Sequence, residues 1–399
     1  MMKSTVVGSS LICSAFILLG GRTLCAQDAP ATPGVMRDIT PKQFVYDMKV
    51  GWNLGNTFDS TRGGETGWGN PKTTQAMIDA LKEMGFKTVR IPVTWQSQLG
   101  PAPDYPINKE FLDRVEEVVN YVLKDGMYAI VNTHHDGWVR LNAAGQEQGT
   151  NEAAKVWSQI ATRFKNYSDY LILETFNEPK GAQNQYSGGT PEQRAILNAY
   201  NLASVNAIRA TGGNNAKRFI MCPTHAATPS DAAIKDLVVP NNDPRVIVSI
   251  HTYYPGGLAF GNQNSWGTDA DKAAMRRELD REARDVAEKG SGAAVIGEWG
   301  SVRRVDLASR VAHAEYYEQQ ALSRGMPTIW WDNGGGDFGI LNRRVTPPTW
   351  TWPTIAQALV KGATEATPLG SYTPPPVGST PAPREGTQYP NSGPTGGGR

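Results

Sequence analysis

Eight times along the chain, a short β-prone apolar run is followed by a stretch whose apolar residues recur at helical spacing, and few folds accommodate that alternation. The strand-like runs fall at residues 50–54, 88–93, 127–133, 171–176, 219–222, 246–250, 294–297 and 328–331. The helix-like stretches fall at 73–84, 109–124, 153–164, 192–211, 230–237, 269–289, 307–324 and 354–360. Phe111, Leu112, Val115, Val118, Val119 and Val122 show the helical period most clearly. The strand runs are apolar on both faces, as in a parallel sheet covered by helices. An α/β fold follows: a (β/α)8 TIM barrel forming a single catalytic domain over residues 40–362, with a doubly wound open sheet as the competing arrangement.

The two ends of the chain read differently. Met1-Met2-Lys3, the apolar stretch at 11–19 and Leu24-Cys25-Ala26 form a secretory signal over residues 1–26, followed by an N-terminal extension at 27–39. Lipidation of Cys25 is the alternative, although Arg22-Thr23-Leu24 is a poor lead-in for it. The protein is therefore expected outside the cytoplasm, extracellular or periplasmic. Cys13 and Cys25 would leave with the signal, so Cys222, inside the apolar run FIMC, is expected to be a buried thiol without a partner. Residues 363–399 form a Pro/Gly/Ser/Thr-rich tail with too few large apolar groups to offset the entropy of ordering it. A net charge of +1 with 19% charged residues argues against nucleic acid as a partner and suits an uncharged substrate. A membrane partner is not expected either, and a monomer is.

In such a barrel the chemistry belongs at the C-terminal ends of the strands. Those positions hold Asn53, Asn56, Arg90, Trp95, His134, His135, Asn177, Glu178, His225, His251, Tyr253, Glu298, Trp331 and Asp332. Four of the five histidines are among them. The stretch LILETFNEPKG (171–181) is a buried strand that stops at Asn177-Glu178-Pro179, since proline cannot continue a ladder. A carboxylate just past that end is partly desolvated, so the pKa of Glu178 is expected to be raised, as a general acid needs. AVIGEWG (294–300) repeats the arrangement around Glu298. Two carboxylates on different strands suit cleavage of a glycosidic bond, one protonating the leaving oxygen while the other attacks the anomeric carbon. Trp52, Trp68, Trp95, Trp138, Trp266, Trp299 and Trp331 lie in or near the rim loops, where flat rings can stack on sugars. His134-His135-Asp136, with His251, also invites a metal reading. Adjacent histidines on a strand point to opposite faces, so no metal and no other cofactor is expected.

The segments GWNLGNT, TVRIPVTW, NTHHDGW, ETFNEP, HTYYP, IGEWG and WWDNG, running from Gly51 to Gly335, resemble family 5 of the glycoside hydrolases, in clan A. Within it the chain is most similar to the bacterial endo-β-1,4-glucanase subfamily, which also holds xyloglucanases and xylanases. The resemblance implies that Glu178 is the acid/base and Glu298 the nucleophile of a retaining mechanism. It implies that Asn177 bonds the sugar 2-OH, that Arg90 holds the nucleophile, that Tyr253 sits beside Glu298 and that His251 supports the acid/base. His134, His135 and Trp331 would line the subsite at the cleaved bond, and Asn53 and Trp68 would meet the glycone side. The partner implied is a β-1,4-linked polysaccharide.

A carboxylate beside Arg90 should have a low pKa, and the two carboxyls of a retaining enzyme should stand about 5 Å apart. Loops at 59–71, 181–189 and 255–268 would set the width of the cleft, and Gly63, Gly64, Gly67 and Gly69 suggest an open, endo-acting one. Xyloglucan, mixed-linkage glucan, xylan and mannan are the alternative substrates. A non-catalytic glycan-binding barrel is the alternative from another class, and such a protein should lack one of Glu178, Glu298 or Arg90.

Overall fold

A closed barrel of eight parallel strands in sequence order forms the centre of the computed structural model. The structure describes Met1, residues 34–181 and residues 186–369. The strands are β1 (Gly51–Asn53), β2 (Thr88–Ile91), β3 (Tyr128–Asn132), β4 (Leu171–Glu174), β5 (Ile220–Pro223), β6 (Val246–His251), β7 (Ala294–Trp299) and β8 (Thr328–Trp330). The ring closes where Gly51 and Trp52 of β1 pair with Ile329 and Trp330 of β8. The helices are α1 (Pro41–Met48), α2 (Gln75–Met84), α3 (Lys109–Lys124), α4 (Ala143–Phe164), α5 (Pro191–Ala210), α6 (Asp231–Asp236), α7 (Gly256–Phe260), α8 (Asp269–Ala287), α9 (Leu307–Ser323) and α10 (Pro353–Glu365). The expected (β/α)8 barrel is the observed one.

Side chains alternate in and out along each strand, and the inward set forms layers. At the N-terminal floor, Tyr128, Ile130, Tyr170, Ile172, Phe219, Met221, Ile247, Val295 and Ile329 make an apolar plug with Phe44, Val45 and Met48 of α1. Phe44 stacks on Phe219 with ring centroids 3.9 Å apart. Two residues further along, the same inward columns turn polar: Asn132 follows Ile130, Glu174 follows Ile172, and Ser249 then His251 follow Ile247. The outward columns, with Trp52, Leu173, Ile296 and Trp330, pack against the helices.

Four boundaries differ from the sequence reading. Helix α1 is too short at eight residues for its period to register, yet its apolar side closes the barrel floor. Helix α4 begins at Ala143, ten residues before 153, because Asn142 caps it by accepting from the Gly145 amide; Gly145 and Gly149 disguise the extra turns. The fold also runs past 362. Helix α10 continues to Glu365, Tyr46 donates to the Ala366 carbonyl, and the Leu369 amide donates to Ser323. Before residue 40, Arg37 already bonds Asp47, Tyr128 and Asp169. Apart from Met1, the expected signal sequence lies outside the described residues, as do residues 370–399 of the tail. Cys222 is buried and has no disulfide partner among the described residues. Among the described residues no helix is long and apolar enough to cross a membrane.

Candidate active site

Directly above the apolar plug, Arg90 of β2 organises the barrel interior. The guanidinium is fully buried, where a cation needs every N–H directed at an acceptor. Nε donates to Glu174 Oε2 at 2.7 Å, Nη2 to Asn177 Oδ1 at 2.8 Å, and Nη1 to both Glu298 Oε1 at 2.8 Å and Asn53 Oδ1 at 3.0 Å. Glu174 accepts further from Ser249 at 2.6 Å and Asn132 at 3.0 Å, which completes its shell. Asn53 passes its own amide to the Gly297 carbonyl at 2.9 Å. One cation thus ties β1, β2, β4 and β7 together beneath the cleft.

Glu298 points inward against the parity of its strand. Val295 faces the barrel, so strict alternation would turn Gly297 and Trp299 inward and Glu298 outward; instead Trp299 stacks on Tyr317 of α9. The register of β7 shifts there: His251 of β6 pairs with Glu298, whereas Ile250 pairs with Ile296. The irregularity re-aims one side chain, as bulges beside active sites do. Gly297 permits it, because a Cβ there would meet the His251 ring at 2.9 Å. Glu298 Oε2 accepts from the Tyr253 hydroxyl at 3.0 Å. Burial and the two nearby carboxylates push the Tyr253 phenol well above its ordinary pKa, so it remains a donor.

Glu178 lies just beyond β4. His251 Nδ1 is 3.0 Å from its Oε1, while Tyr186 Oη at 3.0 Å and Lys180 Nζ at 3.2 Å both contact Oε2. Burial alone would raise the carboxyl. The Lys180 charge and the His251 and Tyr186 contacts more than offset that and hold it well below the usual carboxylate range. The upward shift expected from burial is therefore outweighed, chiefly by Lys180 two residues along the chain. One oxygen of Glu178, one of Glu298 and a nitrogen of His251 all lie within 4.8 Å of one another.

His134 and His135 do not face opposite ways. Strand β3 ends at Asn132, so alternation no longer governs them, and their rings sit edge to face with centroids 4.4 Å apart. Trp331 lies parallel to His134 at 6.0 Å and Trp68 lies 5.9 Å from His135, so these four rings line one wall. Enclosure, with His135 and Arg90 nearby, holds the His134 imidazole neutral. Gly55 makes room for Trp331, since a Cβ there would meet the indole at 2.8 Å. Asp59, His134 and His135 bring one potential ligand atom each within 4.8 Å, but Asp59 already accepts from the Asn56 and Thr57 amides. Asp136 likewise accepts from the Trp95 and Gln96 amides. Asp332 accepts from Trp52, Gly334, Ile340 and Leu341 and pairs with Arg343; it shapes the loop after β8.

Residues 52–337 match the family model of cellulase (glycosyl hydrolase family 5). The chain belongs to glycoside hydrolase family 5. It is 48% identical to the cellulase/esterase CelE of Acetivibrio thermocellus over 94% of this chain, which spans 47% of the length of that relative. It is also 48% identical to endoglucanase B of Clostridium cellulovorans, over 91% of this chain and 85% of that protein. A solved GH5-4 broad specificity endoglucanase from Ruminococcus champanellensis, with bound cellotriose, superposes with a TM-score of 0.77 at 38% identity. That match covers 82% of this chain and 99% of the other.

For this family 5 chain, the structure gathers Glu178, Glu298, Arg90, Asn177, His251, Tyr253, Asn53, His134, His135, Trp68 and Trp331 around one cleft. Two expected sugar contacts are not there. Trp138 is 7% exposed and packs edge to face against Phe176. Trp266 is 7% exposed and packs on His313 and Tyr316 of α9. Trp52, Trp95 and Trp299 are wholly buried in the core, so most of these tryptophans are packing residues rather than exposed faces. His225 is buried at 1% exposure, away from the two carboxylates' contacts. Sequence reasoning missed Glu174, Ser249, Lys180 and Tyr186. Glu174 and Ser249 were visible as the polar members of inward columns; Lys180 and Tyr186 lie on a loop with no period to read.

Proposed function

We propose that the chain is a secreted retaining endo-β-1,4-glucanase, with Glu298 as nucleophile and Glu178 as acid/base. The observation that carries this reading is the approach of two carboxylates within 4.8 Å, each held by a different set of donors. That spacing suits direct attack by one carboxylate; an inverting pair needs about 6.5–9.5 Å to admit water between them. Glu298 attacks the anomeric carbon as Glu178 gives its proton to the leaving oxygen. Water then hydrolyses the glycosyl-enzyme, with Glu178 now taking the proton.

The surrounding groups have distinct tasks. Arg90 and Tyr253 donate to separate oxygens of Glu298, which fixes the attack direction. Because Arg90 occupies the Asn177 carbonyl oxygen, the amide NH2 is turned away from it, toward where a 2-OH would lie. His134, His135, Trp68 and Trp331 supply the sugar-facing wall. The resemblance to a broad specificity endoglucanase supports a second reading within the class, in which mixed-linkage glucan or xyloglucan is cleaved as well.

The test is reducing-sugar release by the protein and its Glu298→Gln variant from carboxymethyl cellulose, mixed-linkage glucan, xyloglucan, xylan and mannan. We expect the parent to cleave carboxymethyl cellulose internally and the variant to be folded and at least about 10⁴-fold slower. A parent that is inert on all five polymers, yet retarded by them in affinity electrophoresis, would instead be a binding barrel.

A further inference from the structure

We propose that His313 and Tyr317 of α9 are positioning residues for the reaction: from outside the barrel they hold the backbone on either side of Tyr253, and through Tyr253 they set the angle of Glu298. This rests on the reading of Glu298 as nucleophile and adds what aligns it.

Tyr253 lies two residues beyond the end of β6 at His251, past the paired part of that strand. Its hydroxyl nevertheless meets Glu298 Oε2 at 3.0 Å, so its main chain needs anchors from elsewhere. They stand on both sides of it. The Thr252 amide donates to the Glu298 carbonyl at 3.1 Å. The Thr252 carbonyl accepts from the Tyr317 hydroxyl at 3.0 Å, and the Tyr254 carbonyl lies 3.0 Å from His313 Nε2. A carbonyl oxygen can only accept, so Nε2 carries the proton. Burial among the rings of Trp266, Trp299 and Tyr317 lowers the imidazole pKa to about 4, so the ring is neutral near pH 7 and holds this one tautomer.

Helix α9 presents both side chains on one face, since residues four apart lie one turn above another. What seats α9 is β7. Trp299, the residue after Glu298, stacks on Tyr317 with ring centroids 4.0 Å apart and planes 14° from parallel, and it meets the His313 ring at 5.5 Å. The contacts close a loop. Trp299 seats α9, and α9 holds the carbonyls of Thr252 and Tyr254. Tyr253 between them donates to Glu298, which adjoins Trp299 in the chain. Both α9 side chains are buried, His313 at 1% exposure and Tyr317 at 0%, so water does not stand in for either donor. A buried carbonyl is costly to leave without a donor, so removing either one shifts this backbone and carries the Tyr253 hydroxyl with it.

The test is kcat/KM on a dinitrophenyl cellobioside, whose leaving group departs without a proton and so isolates the Glu298 side of the site from Glu178. The parent, His313→Leu, His313→Gln and Tyr317→Phe are compared, each also in a Tyr253→Phe background. His313→Leu should lower kcat/KM about 30-fold and Tyr317→Phe about 10-fold, while the Kd for cellotriose stays parental. His313→Gln, which can return an N–H to the Tyr254 carbonyl, should come within about 3-fold of the parent. In the Tyr253→Phe background each loss should shrink below about 3-fold, because residues that act through one group are not additive. Parental kcat/KM with a lowered Tm would make the pair packing residues only. Full losses in the Tyr253→Phe background would place their action elsewhere, and a Gln variant no better than Leu would mean that the hydrogen bond is not what counts. Each of these overturns the proposal. Should His313→Leu fail to fold, Tyr317→Phe, which keeps the ring and its stack on Trp299, carries the same cycle. Glu298→Gln separates the two levels. Parental rates in that variant would overturn the nucleophile assignment itself, whereas a dead Glu298→Gln with parental α9 variants would leave the assignment standing and remove only the outer support.

Discussion

Glu174 is wholly buried, yet it shares Arg90 with Glu298, the proposed nucleophile. A buried guanidinium between two carboxylates is stable only while both remain, because losing one partner leaves charge and donors uncompensated. Glu174→Gln should therefore lower stability by about 3 kcal/mol, read as a fall in Tm, and should reduce kcat about 100-fold as Arg90 loosens its hold on Glu298 and Asn177. Unchanged kcat with lowered Tm would make Glu174 a purely structural residue. The proposed catalytic residues were legible one at a time, since a carboxylate ending a buried strand is a pattern in the sequence. Their protonation was not. Burial raises the Glu178 carboxyl while Lys180, His251 and Tyr186 draw it down, and no local pattern in the sequence shows those contacts.

Among the elements, β7 shows how one irregularity decides function. Gly297 absorbs the register shift that turns Glu298 into the barrel, and a methyl group there would press on the His251 ring. Gly297→Ala should leave the barrel folded while lowering kcat about 100-fold, since displacements near 1 Å at a reacting group cost that much. Parental kcat with an unshifted pH profile would show that the shift needs no glycine. Helix α8 carries a different signal. Both carboxylate oxygens of Glu282 are buried without a partner among the described residues, and burial, reinforced by Glu278, pushes its pKa up to about 8. A group whose folded pKa is raised stabilises the fold fully below its unfolded value and loses that contribution as pH climbs through the folded one. Stability should fall between about pH 4.5 and pH 8. Glu282→Gln should flatten that slope and be the more stable protein at pH 8, by about 1–3 kcal/mol, as followed by Tm across pH. An identical slope in both would place the titration elsewhere. Long periodic helices such as α3 were plain in the sequence; the cap at Asn142 and the early start of α4 were hidden by glycine.

At the scale of the whole molecule, stability and chemistry occupy opposite ends of one barrel. The floor is an apolar plug closed by α1, and each inward column becomes polar as it approaches the mouth. This gradient explains why eight strands and their order could be read from composition and period alone, and why four histidines converged on one end. It also explains the misplaced tryptophans. Sequence position put Trp138 and Trp266 on rim loops, but a loop over a barrel has a core side and a solvent side, and only packing decides which side an indole takes. The central claim is that Glu298 forms a covalent bond to the sugar. Incubation with a 2-deoxy-2-fluoro cellobioside bearing a dinitrophenyl leaving group, followed by mass spectrometry of the digest, tests it directly. The account predicts one fluorosugar adduct, on the peptide containing Glu298, with loss of activity in step. An adduct on the Glu178 peptide, or turnover with inverted products and no adduct, would contradict it.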